Sequence, residues 1–184
     1  MRVIAGSARS LPLKTPEGLD TRPTTDRIKE TLFNILHWDV QGAVFVDLFS
    51  GSGAIGIEAL SRGARKAYFV DNAARAIECI QKNLTFTKLQ NRAIVIRQEA
   101  CSGLSSIHET AVDIIFMDPP YDQGHEKNVL AALKDRPFVT EDTLIIVEAS
   151  LDTDFSWLGE TGFVLEKEKR YKTNKHMFIR KILL

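Results

Sequence analysis

Val46-Asp47-Leu48-Phe49-Ser50-Gly51-Ser52-Gly53-Ala54-Ile55-Gly56, followed by Ile57-Glu58-Ala59-Leu60, sets an apolar run, a glycine-rich turn and a helical stretch in succession. Gly51 and Gly53 let the chain turn sharply and bring its backbone against a ligand with no side chain between them. The helix that follows presents free N–H donors at its start. The spacing satisfies G-x-G-x-x-G, a strand–turn–helix pattern of nucleotide sites. A phosphate-binding P-loop would carry Lys and Ser or Thr after Gly56, where Ile57 and Glu58 stand. A nucleophile elbow would need glycine two residues before Ser52, and that position is Ser50.

The surroundings of the turn narrow the ligand. Asp71 follows the glycines by about 20 residues, where an acid accepts hydrogen bonds from ribose hydroxyls. Asp47, just before the glycines, suits the cationic ammonium of a methionine moiety and would repel a pyrophosphate. The turn therefore predicts an S-adenosylmethionine site with Asp47, Phe49, Gly51, Ser52, Gly53, Asp71 and Asn72 around the cofactor. A nicotinamide dinucleotide is the remote alternative.

Outward from this turn, short β-type runs alternate with helical periodicity, the pattern of a parallel sheet wrapped by helices. The runs are 44–49, 67–70, 93–96, 113–117, 143–147, 163–165 and 176–179, which predicts a seven-stranded α/β sheet. Only residues 166–175 separate the last two runs, too few for a helical crossover, so these should pair antiparallel. Ile77, Ile80 and Leu84 recur at helical spacing after a possible Asn72 cap, and Val129, Leu130 and Leu133 form a second stripe. Ahead of the sheet, Thr24-Thr25-Asp26 starts a helix with Ile28, Leu32, Ile35 and Leu36 on its apolar face. Arg2-Val3-Ile4 and Leu11-Pro12-Leu13 form a candidate hairpin. The organisation expected is an N-terminal hairpin and helix extension, 1–40, ahead of a catalytic unit, 41–184.

Composition restricts the function classes. No stretch approaches the ~20 apolar residues of a membrane span, and the N-terminus lacks the apolar core of a secretory signal, so a cytoplasmic protein is expected. Cys79 and Cys101, read as helix and strand end, lack C-x-x-C spacing, and the histidines are scattered, so no metal is assigned. Twenty-four basic and 24 acidic residues cancel, which counts against a constitutive nucleic-acid binder. Yet Arg2, Arg9, Lys14, Arg22, Arg27 and Lys29 cluster near one end and Lys167, Lys169, Arg170, Lys172, Lys175, Arg180 and Lys181 near the other. Two basic ends could meet on one face.

The reaction is read from Asp118-Pro119-Pro120-Tyr121, which the strand 113–117 delivers at its carboxyl end, the edge where open α/β sheets bind ligands. An exocyclic amine on a base is a poor nucleophile, because its lone pair is delocalised into the ring. Methylating it requires acceptors that hold the N–H bonds and turn the lone pair toward the methyl group. The Asp118 carboxylate and Pro119 carbonyl can be those acceptors. Tyr121 can stack on a base withdrawn from its own stack.

With these motifs in place, the chain resembles the RsmD-type methyltransferases, which modify guanine N2 in 16S ribosomal RNA. The likeness runs through Arg2-Val3-Ile4-Ala5-Gly6, Arg22-Pro23-Thr24-Thr25-Asp26-Arg27, Leu32-Phe33-Asn34-Ile35-Leu36, Asp47 to Gly53, Glu58-Ala59-Leu60-Ser61-Arg62-Gly63-Ala64 and Asp118 to Tyr121. Asp-Pro-Pro-Tyr is common to many amino-methyltransferases, whereas Arg-Pro-Thr-x-x-Arg is much more particular to this family. The resemblance implies a Rossmann-like class I methyltransferase fold, a mostly parallel sheet with an antiparallel last strand. It implies adenosylmethionine as sole cofactor, with Glu99 and Ala100 at the adenine, and a substrate presented by ribosomal RNA in an assembling small subunit. Arg22, Thr24, Arg27, Pro120 and Tyr121 would then contact substrate. The chain departs from the family pattern at Arg9-Ser10-Leu11, at Glu99 where the family has Asp, and at Tyr171-Lys172-Thr173. A monomer is expected. Two other readings predict different behaviour: an adenine-N6 methyltransferase, or a non-catalytic RNA-binding assembly factor on the same fold.

Overall fold

A computed structural model of the chain describes residues 1–18 and 25–182. The elements, in order, are α1 (Asp26–Ile35), β1 (Val44–Leu48), α2 (Ala54–Ser61), β2 (Lys66–Asp71), α3 (Ala74–Thr87), β3 (Ala93–Arg97), α4 (Ala100–Gly103), β4 (Ile114–Met117), α5 (His125–Lys134), β5 (Leu144–Ser150), β6 (Phe163–Arg170) and β7 (Asn174–Lys181). One seven-stranded sheet runs β3-β2-β1-β4-β5-β7-β6. Strands β1 to β5 pair parallel, and β7 runs antiparallel between β5 and β6. The expected α/β architecture with a reversed last strand is therefore the architecture found.

Each predicted run became a strand, and the last two grew most. The sixth extends to Arg170 because its charged residues form an exposed sheet edge, paired on one side to β7. Its lysines and glutamates also discourage pairing with a further strand on the open side. The seventh begins at Asn174, where β7 meets Ser150 of β5.

Apolar side chains fill both faces of the sheet. On one face Phe45, Phe69, Phe116, Ile146 and Phe178 pack under α1, α2 and α3, with Leu32, Phe33, Ile57, Leu60 and Ile80 among the helical contributions. On the other, Val46, Val70, Ile115, Val147 and Ile179 meet Leu104, in the turn after α4, and Val129, Leu130 and Leu133 of α5. Both helical stripes read from the sequence thus serve the core. Asn72 is not the cap of α3: Ala73 holds that position, its N–H donating to Asp71 Oδ1, and the Asn72 amide donates to Glu99 instead. Cys79 is buried in α3, whereas Cys101 lies half-buried within α4 rather than at a strand end.

The N-terminal hairpin forms, with Arg2 bridged to Pro12 and Val3 N–H donating to the Leu11 carbonyl. It is clasped onto α2. Glu58 accepts from the N–H groups of Ile4 and Ala5 at 2.9 and 3.1 Å, and Ser61 Oγ donates to the Ala5 carbonyl. Gly6 sits at φ +86°, where an added Cβ would lie 1.8 Å from the Ser61 carbonyl oxygen, so only glycine fits that approach. Lys29, read as one of a basic cluster that could form a face, is instead fully buried: its Nζ donates to the Arg2 carbonyl at 2.6 Å and pairs with Glu58 at 3.5 Å. Burial pushes the Lys29 ammonium below its ordinary range, against the opposing pull of Glu58 and Asp26.

Helix α1 is capped by Thr25, whose Oγ1 accepts from Ile28 N–H. It buries Leu32, Phe33 and Leu36, while Ile28 and Ile35 stay half-buried. Among the described residues, no helix is long and apolar enough to cross a membrane.

Candidate active site

The carboxyl edge of the parallel strands carries the site, and strand alternation explains why its acids converge. In register, Phe45 meets Ile114, Asp47 meets both Phe69 and Phe116, and Phe116 meets Ile146. Residues two apart on a strand share a face. Asp71, two beyond Phe69, and Glu148, two beyond Ile146, therefore point to the same face as Asp47. Asp118 follows β4 directly and lies close enough to Glu148 and Asp47 to feel both charges.

The glycine turn leaves β1 through Phe49, which adopts φ +57°, a left-handed backbone unusual for a non-glycine residue. Ser50 holds it in place: its N–H and its Oγ both bond to the Val70 carbonyl, and Val70 N–H donates back to Ser50 Oγ. Gly51 is also left-handed, and nothing lies within 4 Å of where its Cβ would be, so its surface opens onto unfilled space. Gly56 has the opposite surroundings. Its Cβ would lie 2.4 Å from the Phe69 ring, which makes it the residue that lets α2 pack onto β2.

Asp71 fixes the turn from the neighbouring strand. Its Oδ2 accepts from Gly51 N–H and its Oδ1 from Ala73 N–H, both at 2.9 Å. Each carboxylate oxygen has two lone pairs, so each retains acceptor capacity for a hydroxyl of a bound ribose. Asp47 is buried, and its Oδ2 accepts from Gly56 N–H at 3.0 Å. Burial raises its carboxyl well above the ordinary range; the Gly56 bond opposes that rise and Asp71 adds to it. Such a carboxyl gains from a cationic neighbour. Glu99 and Asn72, hydrogen-bonded to each other, form an exposed rim between the ends of β2 and β3, and Ala100 is buried behind them. Phe49 packs against the His125 ring at 5.7 Å between centroids.

Asp118 is partly exposed, and among the described residues nothing donates a hydrogen bond to its carboxylate. Burial, then Glu148, then Asp47 raise its carboxyl well above the ordinary range. Pro119 is buried, Pro120 exposed and Tyr121 half-buried. The structure thus brings Asp47, Phe49, Gly51, Ser52, Gly53, Asp71 and Asp118 to one edge. Arg22 and Thr24, expected at the substrate, lie outside the described residues, which resume at Thr25; Arg27 is exposed on the first turn of α1.

Two contributors escaped the sequence reading. Asn83, buried in α3, donates to the Ser52 carbonyl and exchanges two hydrogen bonds with the Lys14 backbone, tying the N-terminal arm to the glycine turn. Glu148 accepts from Asn174 Nδ2 at 2.8 Å and from His176 Nε2 at 2.9 Å, and His176 Nδ1 meets the Tyr171 hydroxyl. An acid directly after the apolar run 143–147 is the one signal that could have pointed to Glu148.

A family model described as Conserved hypothetical protein 95 matches residues 1–180. The Bacillus subtilis protein YlbH is 41% identical over 175 residues, covering 93% of this chain and 94% of that one. The ribosomal RNA small subunit methyltransferase D of Escherichia coli is 37% identical over 152 residues, covering 83% and 76%. Among solved structures, the Escherichia coli protein yhhF superposes with a TM-score of 0.84 at 32% identity, covering 100% of this chain and 99% of that one.

Proposed function

Because the chain belongs to the RsmD-type methyltransferase family, we propose that it methylates the exocyclic N2 amine of a guanine in small-subunit ribosomal RNA, using S-adenosylmethionine. The observation that carries the reading is the Asp118 carboxylate, to which no described residue donates, set beside an open glycine turn at the edge where four acid-bearing strand ends meet.

The residues present fit adenosylmethionine. The space over Gly51, which any side chain would fill, admits close approach of a ligand, and the spare lone pairs of Asp71 suit ribose hydroxyls. Asp47 lies where an ammonium would relieve its buried carboxylate, and Glu99 with Ala100 would border the adenine. The bound cofactor supplies an electrophilic methyl on a positively charged sulfur.

The protein's part is positioning and charge. Asp118 and the Pro119 carbonyl accept the amine's N–H bonds and turn its lone pair toward the methyl. Tyr121 stacks on the guanine, and Pro120 borders it. Burial of Asp47 keeps water from the charge it holds.

Substrate RNA is engaged by the extension 1–40 and the outer strand. Lys167 and Lys169 lie opposite Phe178 and His176 in register and so share the face covered by α1, which exposes Arg27. These cations, with Arg22 and Thr24, meet phosphates, which position a substrate without reading its bases.

Two results test the parts. Gly51→Val puts a β-branched residue at φ +57° and fills the open space; adenosylmethionine binding by calorimetry should weaken about tenfold or more. Undiminished affinity would place the cofactor elsewhere. Replacing Lys167 and Lys169 by alanine should weaken RNA binding and lower its salt slope by roughly one per lost phosphate contact, with cofactor affinity unchanged. An unaltered slope would remove β6 from the RNA surface.

A further inference from the structure

Glu148 is a buried carboxylate that the pairing of Met117 with Val147 sets beside Asp118; it has no part in holding the cofactor or the base, yet a side-chain network fixes it from two directions. Asn174 Nδ2 donates to Oε1, His176 Nε2 donates to Oε2, and His176, fully buried between Phe116, Phe178 and Tyr171, turns its other nitrogen to the Tyr171 hydroxyl at 3.2 Å. Burial, with Glu148 adding to it, pushes the Tyr171 phenol up to about 12. Tyr171 therefore stays a donor. A donor at Nδ1 leaves the imidazole proton on Nε2, aimed at Glu148. Two such donors occupy both Glu148 oxygens and hold the carboxylate in place.

We propose that Glu148, held by His176 and Asn174, is a positioning residue whose fixed negative charge makes Asp118 the base that receives the proton released when the amine is methylated. The inference rests on the amine methylation proposed above. The nitrogen gives its electron pair to the methyl carbon as the carbon–sulfur pair remains on sulfur. The nitrogen is then cationic and sheds one proton, which the Asp118 carboxylate accepts and returns to solvent after product leaves. A carboxylate with ordinary proton affinity would hold that proton weakly. The groups that face Asp118 all raise its affinity: Glu148 from β5 and Asp47 from β1, with burial the largest contribution. Asp71, from β2, acts on Asp47. His176, from β7, is the nitrogen base among them, and it bonds to Glu148.

The test is a 13C titration of the aspartate carboxyls in the full chain without substrate, Asp118 being assigned by the signal lost in Asp118→Asn. Glu148→Gln should lower the Asp118 midpoint by roughly one pH unit, the effect of removing a near like charge. The replacement is accommodated, because the Asn174 amide can turn over so that its Oδ1, which has no partner, accepts from the new amide. His176→Phe should lower the midpoint less, since it frees the Glu148 carboxylate to move away from Asp118 rather than removing it, and His176→Gln, which keeps a donor, should restore it. In the Glu148→Gln background His176→Phe should add nothing. An unmoved or raised midpoint in folded Glu148→Gln overturns the proposal. If that variant does not fold, equal midpoints in His176→Phe and His176→Gln do so. The titration needs no RNA, so its failure leaves the guanine assignment standing, and discovery of another methylated base leaves the titration standing.

Discussion

Asp118→Ala is expected to lower methyl transfer by about 100- to 1,000-fold or more, the scale of losing a group that stabilises the transition state, while adenosylmethionine affinity stays within a few-fold of wild type. The separation follows from the geometry: the proposed cofactor contacts lie on Asp47, Gly51 and Asp71, whereas no described residue donates a hydrogen bond to Asp118. Single-turnover transfer beside calorimetry of cofactor binding distinguishes the two. Near wild-type turnover would sink the assignment of Asp118.

The same carboxylate should make the fold less stable at neutral pH. Its proton affinity in the folded chain is raised, so its stabilising contribution is complete below the unfolded-state pKa and is lost as pH rises through the folded-state value. Asp118→Asn should therefore melt higher than wild type at neutral pH, by about 2–4 °C for each kcal/mol relieved, and the gain should shrink on acidification. Activity of the wild type should fall on the acid side as Asp118 protonates.

The largest stability effect is expected at Glu58. This residue is fully buried and accepts from Ile4 N–H, Ala5 N–H, Arg62 Nε and the Lys29 ammonium. Glu58→Ala leaves Lys29 charged and unpaired in the core, and breaking a buried pair in that way costs roughly 3–5 kcal/mol. For a chain of this size that is about 10 °C in melting temperature, read by calorimetry. Glu58→Leu combined with Lys29→Met removes both charges and should recover much of the loss. If Glu58→Ala melts within a degree of wild type, the hairpin is not anchored by this carboxylate.

These residues show where sequence reading succeeds and where it stops. The glycine turn, Asp71 and Asp118-Pro119-Pro120-Tyr121 were legible because local order places them: a strand must end, turn and present its next residues at the sheet edge. The seven runs were legible because buried parallel strands are continuously apolar. Lys29 was read only as part of a basic cluster because its burial depends on Arg2 of the hairpin and Glu58 of α2, which meet it from 27 and 29 positions along the chain. Charges along Glu166 to Arg170 concealed the second half of β6, whose strand character comes from pairing with β7. The Glu148, Asn174 and His176 network joins strands by antiparallel register alone, which no local pattern announces. Asn72 looked like a helix cap by residue type, but Glu99 competes for its amide.

The central claim is the base and the atom that are methylated. Small-subunit particles from a strain lacking this protein, incubated with the purified chain and adenosylmethionine carrying a labelled methyl, followed by digestion to nucleosides, address it directly. The proposed function predicts label in N2-methylguanosine, lost with Asp118→Ala. Label in N6-methyladenosine, or no label at a cofactor concentration that saturates the site, would contradict it.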